Sequence, residues 1–370
     1  MRKLVFVVDR MSKGGAERVV AALANEFTTR GIEVHILTWL PREENEYFLL
    51  DGIIRHSFEP LHTKRVLIIY DKIRYYKDTI GIINPDCVLC LGTPRTAVLL
   101  SIALKKRNMP LIISERNDPN RYPSEKIIKK MRDIAYSQAD GIVFQTKGAR
   151  DYFEDKIAKN STIIVNPITG HLPEYYNGIR EKRIVNFCRI EAQKNIKLLI
   201  DAFELLQKRM QGYVLDIFGE GEEKERLIKY VKDKKLSELI QFKGYSNDIY
   251  KEINKCSLFV SSSDYEGISN SMLEAMALGL PVICTDCPPG GAKTVIETGQ
   301  NGILVPVGDV KKLADAMFNV LSDNKLKRTL SKNAVEIRQR LDVKNIADKW
   351  EKYIEEKIDE YKVEEKIDEY

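Results

Sequence analysis

Two glutamates lie eight residues apart, at positions 266 and 274, in the segment SSDYEGISNSMLEAMALGLP that spans residues 262–281. Ser269 or Asn270 is a predicted N-cap, so Glu266 precedes a helix and Glu274 lies within it. The first amides of a helix lack intrahelical acceptors and form a site for anions. Here those amides belong to Gly267, Ile268, Ser269 and Asn270.

A glutamate before a helix often does no more than interact favourably with the helix dipole, which is the alternative interpretation of Glu266. The second carboxylate, Glu274, makes a ligand site the stronger hypothesis. A helix start that accepts phosphate oxygens, flanked by two carboxylates, suits a nucleotide-activated sugar. One glutamate can bind sugar hydroxyls and the other can bind ribose hydroxyls.

Two cations follow a predicted strand in the segment CRIEAQKN at residues 188–195. Arg189 and Lys194 flank a short turn that opens the next predicted helix. Both can converge on a diphosphate, because the guanidinium is a planar fork that matches phosphate oxygens and the ammonium is a compact charge. The alternative is a pair of cations that face solvent.

A glycine pair, Gly14 and Gly15, follows the first predicted strand in the segment SKGGAER. Glycines at a strand-to-helix junction let the backbone approach a ligand closely. The segment matches neither the dinucleotide-binding pattern nor the P-loop pattern, so it does not predict either of those sites. A tight turn without function is the alternative.

Polar residues also end another predicted strand, in the segment SERNDP at residues 114–119. We expect Glu115, Arg116 and Asn117 to face a ligand, because the carboxyl ends of parallel strands line ligand sites. A plain loop is the alternative.

No metal site and no cofactor are expected. No D-x-D triplet occurs in the chain, and hard cations such as Mg²⁺ need oxygen ligands. The two C-x-x-C spacings, Cys87/Cys90 and Cys284/Cys287, are interpreted as small buried residues rather than zinc ligands, since a strand directs Cys87 and Cys90 to opposite faces. The charge of a leaving diphosphate would then be balanced by Arg189, Lys194 and the helix amides.

The elements that must position these residues alternate between strands and helices, which predicts parallel sheets covered on both faces. Predicted strands lie at residues 4–8, 34–39, 86–91, 111–114 and 141–145, and the pattern restarts with strands at 184–188, 213–218, 240–242, 258–261, 281–285 and 303–305. We predict a first domain at 1–170, a second at 171–345, and a solvated helical extension at 346–370 that contains the duplicated EEKIDEY. A ligand is expected in a cleft between the two domains.

The bulk properties describe an ordinary cytoplasmic protein. Of the 370 residues, 44% are hydrophobic and 31% are charged, and no apolar run approaches the ~18 residues of a membrane span. The net charge is +5, but no stripe of aromatic and basic residues accompanies it, so a nucleic-acid partner is not expected. Basic clusters at 62–65, 105–107 and 126–132 predict either solvated helix faces or peripheral contact with an anionic membrane.

The segments SKGGAERV, ISERNDP, CRIEAQKN, FGEGEE and the long segment ending in DCPPGG, in this order, resemble the retaining GT-B glycosyltransferases of family four, which build bacterial capsules and lipid-linked glycans. The resemblance implies two Rossmann-like domains that face each other across a cleft. It implies that Glu266 contacts the donor sugar, Glu274 the ribose, and Arg189 with Lys194 the diphosphate. Gly14 and Gly15 would lie at the diphosphate and acceptor side, with Gly219 and Tyr245 around the base and ribose.

The implied reaction moves a hexose or N-acetylhexosamine, with retention, from a UDP-linked sugar to a lipid-linked glycan acceptor, and it needs no protein base. Two departures stand out. Cys188 replaces the glycine of many relatives, and Glu115, Arg116 and Asn117 stand where many relatives carry a histidine, so no catalytic histidine is assigned. The alternatives are a GT-B transferase for a soluble small acceptor and a non-catalytic nucleotide-sugar-binding protein.

Overall fold

The computed structural model describes residues 1–12, 14–168, 172–246 and 248–368, with side chains described up to residue 363. The chain divides into two compact units, one formed by Met1–Thr169 with Asp342–Tyr370 and the other by Gly170–Leu341. The predicted boundary between residues 170 and 171 lies outside the described residues. The two sheets confirm the predicted α/β class with two Rossmann-like halves.

The first unit contains a seven-stranded parallel sheet in the order β3-β2-β1-β4-β5-β6-β7. Its strands are β1 Lys3–Val8, β2 Glu33–Thr38, β3 Ile54–Ser57, β4 Cys87–Cys90, β5 Leu111–Glu115, β6 Gly141–Phe144 and β7 Ser161–Ile163. The central strands β1, β4 and β5 are buried along almost their whole length because helices cover both faces. The helices are α1 Gly15–Thr29, α2 Arg65–Ile83, α3 Pro94–Ala103, α4 Lys126–Ser137, α5 Lys147–Arg150 and α6 Asp155–Lys159.

The second unit contains a six-stranded parallel sheet in the order β10-β9-β8-β11-β12-β13. Its strands are β8 Glu181–Phe187, β9 Val214–Phe218, β10 Ile240–Gly244, β11 Cys256–Ser261, β12 Val282–Thr285 and β13 Ile303–Val305. Its helices are α7 Ile196–Arg209, α8 Lys224–Asp233, α9 Ile249–Ile253, α10 Asn270–Ala277, α11 Gly291–Val295, α12 Val310–Ser322, α13 Asn324–Ala334 and α14 Ile337–Arg340. Because the sheet is parallel, the loops after β8, β9, β11 and β12 meet at one edge.

The last helix, α15 Val343–Asp368, belongs to the first unit, and here the structure differs from the predicted solvated extension. Its side chains at Ile346, Trp350, Ile354 and Ile358 are buried. These positions are spaced four residues apart and form one helical stripe. In the first copy of the duplication, residues 355–361, only Lys357 and Ile358 are buried; the side chains of the second copy, residues 364–370, lie outside the described residues.

Helix α15 packs on α1. Arg30 at the end of α1 pairs with Glu351 at 2.5 Å and with Asp348 at 2.7 Å. At the other side, the hydroxyl of Tyr353 accepts a hydrogen bond from the Ile142 amide at 3.1 Å. In the part of the chain that the structure describes, no helix has the length and apolar character required to cross a membrane.

Candidate functional site

The predicted site residues Lys194 and Glu266 form an ion pair at the carboxyl edge of the second sheet. Lys194 follows β8 and Glu266 follows the neighbouring strand β11, so adjacent strands bring the two side chains together. Ser263 donates a hydrogen bond from Oγ to Glu266 Oε2 at 3.0 Å. The side chains of Lys194 and Glu266 are only 10% and 16% exposed.

Burial by itself would lower the pKa of Lys194, but the Glu266 carboxylate outweighs that effect and the pKa lies above its usual value. The positive charge of Arg189 acts in the opposite direction on the same pKa. Lys194 is therefore held protonated inside the site. The pair presents a fixed cation and a fixed carboxylate side by side, which suits a ligand that carries both phosphates and hydroxyls.

Side-chain hydrogen bonds join the loop after β8 to the loop after β11. Asn195 Nδ2 donates to Asp264 Oδ1 at 2.8 Å, and Gln193 Nε2 donates to the Tyr265 carbonyl at 2.8 Å. Ser262 Oγ donates to the Lys194 carbonyl at 3.0 Å. These bonds connect the two loops that carry Lys194 and Glu266 and so support both side chains. Sequence reasoning missed them, because a polar loop residue gives no sign of the partner that it binds.

A third loop, which follows β12, holds the Glu266 segment from the other side. The Glu266 amide donates to the Pro288 carbonyl at 2.8 Å, and Thr285 Oγ1 donates to the Ser263 carbonyl at 2.6 Å. A Cβ atom added to Gly291 would lie 1.7 Å from the Gly267 carbonyl oxygen, so only glycine permits this approach. The PPGG motif thus acts as a backbone support for the glutamate loop.

We expect Thr285→Val to lower the free energy of unfolding by about 1–2 kcal/mol, because valine keeps the volume and leaves the buried Ser263 carbonyl without its donor. Chemical denaturation of the purified protein measures the change. Thr294→Val is the matched control, since Thr294 Oγ1 donates to the Gly290 carbonyl at an exposed position and its loss should cost less than about 0.5 kcal/mol. Equal costs for the two variants would contradict the supporting role of Thr285.

The helix after Glu266 begins as predicted. Ser269 is the N-cap of α10 Asn270–Ala277 and its hydroxyl accepts from the Met272 amide at 3.4 Å. A small pocket borders this helix start and the ion pair. Its lining includes Ser261, Ser263, Glu266, Gly267, Ser269 and Thr285. Ile268 is buried, and so is Glu274 one turn into the helix; the contact of Glu274 with a ribose stays a prediction.

Arg189 differs from Lys194 in its surroundings. Its side chain is 64% exposed and pairs with Glu191 at 2.7 Å. Arg189 lies close enough to Lys194 for its charge to act on the pKa of Lys194, and an ion pair with Glu191 occupies its guanidinium. Diphosphate contact by Arg189 stays a prediction that requires this exposed pair to open.

The residues predicted around a base and ribose follow β9 and β10. Gly219 has φ +127°, and a Cβ atom added there would lie 1.9 Å from the Cys188 carbonyl oxygen. Its amide donates to the Gly244 carbonyl at 2.8 Å. Tyr245 comes directly after β10 and is exposed. Gly219 thus keeps the FGEGEE loop in contact with the turn that carries Arg189.

At the first sheet, the glycine pair stands at the start of α1. Gly14 is the N-cap with an extended φ of −106°, and Gly15 is the first helical residue. The hydroxyl of Tyr47 donates to the Gly14 carbonyl at 3.1 Å. Lys13 lies outside the described residues. The helix start therefore lies at the carboxyl end of β1, where the sequence predicted it.

The Glu115 side chain is turned into the first unit and is buried, and its contact with an acceptor stays a prediction. Its Oε1 accepts from the amides of Arg116 at 2.9 Å and Asn117 at 3.0 Å, and its Oε2 accepts from the Tyr136 hydroxyl at 3.1 Å. Burial raises the pKa of Glu115, and the Arg132 charge opposes that shift. The carboxylate therefore orders the loop from inside.

Arg116 and Asn117 are half-buried. The Arg116 guanidinium donates to Asn166 and, at 3.3 Å, to Ser114 Oγ. Burial lowers the pKa of Arg116 to about 10, with the charges of Glu17 and Glu115 opposing the shift. Arg116 is thus the member of the predicted acceptor group that carries a positive charge at the carboxyl edge of the first sheet.

Two family models match the chain and together cover most of it. The model described as Glycosyltransferase Family 4 matches residues 13–169, and the model described as Glycosyl transferases group 1 matches residues 177–337. This chain belongs to the GT-B glycosyltransferases of family four.

Relatives of known name support the assignment over nearly the whole length of the glycosyltransferase. The chain is 26% identical to the N-acetylgalactosamine-N,N'-diacetylbacillosaminyl-diphospho-undecaprenol 4-alpha-N-acetylgalactosaminyltransferase of Campylobacter jejuni, over 96% of this chain and 100% of that protein. HepE of Anabaena in complex with UDP-glucose has a TM-score of 0.77 at 19% identity, covering 97% of this chain and 100% of that structure. Sucrose-phosphate synthase of Thermosynechococcus elongatus has a TM-score of 0.82 at 17% identity, covering 96% and 99%. At these identities the two structures establish the fold.

Sequence reasoning missed one polar cluster of the glycosyltransferase, at Asp9. Asp9 follows β1, and its Oδ1 accepts from Trp39 Nε1 at 2.9 Å and from Thr96 Oγ1. Lys72 Nζ lies 3.4 Å from the centroid of a Trp39 ring. The available signal was a carboxylate directly after an apolar strand.

The cysteines of the glycosyltransferase are all free thiols, and the two in β4 are buried. Burial raises the pKa of Cys90 to about 12, so its thiol stays protonated. Among the described residues, no group of three or more histidine, cysteine, aspartate or glutamate side chains is arranged to hold a metal ion.

Proposed function

We propose that this glycosyltransferase moves a hexose or N-acetylhexosamine from a UDP-linked sugar to a lipid-linked glycan in surface polysaccharide synthesis, with retention and without a metal ion. The observation that carries the proposal is the buried pair of Lys194 and Glu266 at the start of α10. The Glu266 carboxylate can bind sugar hydroxyls, and the protonated Lys194 beside it can bind phosphate. A helix start contributes amides on the same side.

The donor part of the proposal assigns each group a task. Lys194, Arg189 and the amides at residues 267–270 balance the charge that develops on the leaving diphosphate. Glu266 binds the transferred sugar and Glu274 the ribose, while Gly219 and Tyr245 border the base. UDP as the nucleotide is supported by HepE, whose structure holds UDP-glucose.

The acceptor part is supported by the Campylobacter relative, whose name specifies an undecaprenyl-diphosphate-linked glycan as its acceptor. In this chain Gly14, Gly15 and Arg116 stand at the carboxyl edge of the first sheet, where an acceptor phosphate or hydroxyl can approach. Glu115 and Asn117 order the loop that presents Arg116. Retention follows if the acceptor hydroxyl attacks from the face that the diphosphate leaves, with the diphosphate oxygen taking the proton.

A panel of nucleotide sugars tests the donor. A UDP-sugar at about 100 times its Kd stabilises the native state by about 2.7 kcal/mol, and we expect the melting temperature to rise by about 5 °C or more. Glu274→Gln should abolish most of that rise, whereas Glu297→Gln, at an exposed turn before β13, should keep it. A shift of equal size with GDP-sugars would contradict the preference for UDP.

Product analysis tests the reaction. With the matching UDP-sugar and a polyprenyl-diphosphate-linked glycan, the new linkage should have the α anomeric configuration of the donor, measured by the anomeric proton coupling. Activity should persist in a chelator. A β-linked product would contradict retention, and loss of activity that Mg²⁺ restores would contradict metal independence. Turnover on a soluble sugar but not on the lipid-linked glycan would favour the soluble-acceptor alternative.

A further inference from the structure

The start of α2 exposes apolar side chains that no other part of the described chain covers. Val66 is 77% exposed, and Ile69 and Tyr70 are exposed beside it, at spacings of three and four residues on one helix face. Leu61, just before the helix, is 75% exposed. Buried Asp71 fixes this preceding segment, because its Oδ2 accepts from the amides of Leu61 at 3.1 Å and His62 at 3.0 Å.

Helix α4 exposes a second apolar stripe. Ile127 is 71% exposed, and Met131 and Ile134 are exposed at the spacings i+4 and i+7 from it. The opposite face of α4 is buried through Arg132, Ala135 and Tyr136. The helix is thus apolar on two sides, and only one side has a partner among the described residues.

Cations border both stripes without acidic partners. Residues 61–70 and 126–132 contain no aspartate or glutamate. Lys64, Arg65, Lys126 and Lys130 are exposed, and within the described residues none of them forms an ion pair. Exposed aliphatic and aromatic side chains among unpaired cations are the composition of a surface that inserts at an anionic lipid headgroup layer.

The two stripes lie at the same end of the first unit. Helix α2 follows β3 and α4 follows β5, so both helices begin at the carboxyl edge of the parallel sheet. Helix α3 lies between them and packs against both. Gly14, Gly15 and Arg116 stand at that same edge, so a lipid surface bound there would lie next to the residues assigned to the acceptor.

We infer that the exposed faces of α2 and α4 form a docking surface for anionic lipid, with Val66, Tyr70, Ile127 and Met131 entering the headgroup layer and Lys64, Arg65, Lys126 and Lys130 binding lipid phosphates. The inference rests on the proposed function, since a lipid-linked acceptor is the reason to expect lipid at this edge. It assigns only some of the basic clusters of the sequence to lipid binding. Lys105 and Lys106 follow the end of α3, at the opposite edge of the sheet, and take no part.

Sedimentation of the full chain with vesicles of phosphatidylcholine, with and without phosphatidylglycerol, tests the surface. We expect binding only with phosphatidylglycerol, and weakening by added salt. Val66→Ser/Tyr70→Ser and Ile127→Ser/Met131→Ser should each weaken binding about tenfold or more. Gln substitution at the four cations should weaken it at least about tenfold.

Matched controls lie on the same unit. Ile82→Ser changes an 85% exposed side chain at the far end of α2, and Lys105→Gln/Lys106→Gln removes two exposed charges at the opposite edge; both should bind vesicles like the unmodified chain. Unchanged melting temperatures show that the surface variants fold. Unchanged vesicle binding by the variants of the α2 and α4 surface would overturn the inference. A dimer in analytical ultracentrifugation that the apolar variants dissociate, without vesicle binding, would also overturn it and assign the faces to self-association.

Vesicle binding and glycosyl transfer are measured separately, so the lipid surface and the proposed function can fail independently. Vesicle binding without transfer to any lipid-linked glycan would remove the proposed function and leave the lipid surface. Transfer to a detergent-dispersed lipid-linked glycan without vesicle binding would remove the lipid surface and leave the proposed function. The surface variants should retain turnover on the dispersed acceptor.

Discussion

Replacing Glu266 by glutamine is expected to lower kcat by about 10²–10³-fold, the effect of removing one preorganised electrostatic contact from a transition state. Glutamine keeps the shape and can still accept from Ser263, but it lacks the charge that pairs with Lys194. Sugar hydroxyls would lose their ionised acceptor. Burial of Lys194 would then lose its main opposing effect, and the pKa of Lys194 would fall.

Turnover of the UDP-sugar with the lipid-linked glycan measures the effect, and Glu297→Gln, at the opposite edge of the same sheet, is the control that should keep full activity. Breaking a buried pair also costs stability, on the order of 3–5 kcal/mol. Glu266→Gln/Lys194→Met removes both charges and should recover much of that stability without recovering turnover. A double variant as active as the unmodified chain would remove Glu266 from the mechanism.

Gly219→Ala is expected to lower the free energy of unfolding by about 3 kcal/mol or more. The added Cβ meets two obstacles: φ is +127°, which disfavours a side chain, and the Cys188 carbonyl oxygen lies 1.9 Å from the Cβ position. The loop after β9 must move away from the turn that carries Arg189. We therefore expect the thermal shift by UDP-sugars to decrease as well.

Gly299→Ala separates the two causes. Gly299 has φ +85°, but nothing lies within 4 Å of its added Cβ, so only the conformational penalty of about 1 kcal/mol remains. Urea denaturation of both variants gives the difference, which reports the close approach at Gly219. If Gly219→Ala proves no more costly than Gly299→Ala, the contact between the two loops has no energetic weight.

These predictions share one physical basis, which is that the site consists of loops rather than long elements. The loops after β8, β11 and β12 are joined by side-chain hydrogen bonds from Asn195, Gln193, Ser262 and Thr285. Such bonds hold a catalytic side chain in one position before the ligand arrives. A glycosyl transfer that depends on electrostatic stabilisation benefits directly, since no reorganisation is required during the reaction.

By itself, the sequence determined the fold class and the places of the candidate residues. Strand and helix periods differ, so apolar runs such as residues 184–188 and 258–261 could be distinguished from helices. The parallel strands of one sheet all end at one edge, so the positions of Lys194 and Glu266 after two such strands put both residues at that edge. N-cap preference predicted Ser269 or Asn270 as the cap of α10, and Ser269 is the cap.

Only the tertiary structure decided which of those side chains meet. Adjacent strands β8 and β11 made a pair of Lys194 and Glu266, whereas Arg189, five residues earlier, stayed exposed beside Glu191. Glu115 turned inward to Tyr136, and the tail helix α15 packed on α1. Side-chain partners depend on strand order and on which helix covers which face. Strand order is set by contacts between residues far apart in the chain, which local patterns do not record.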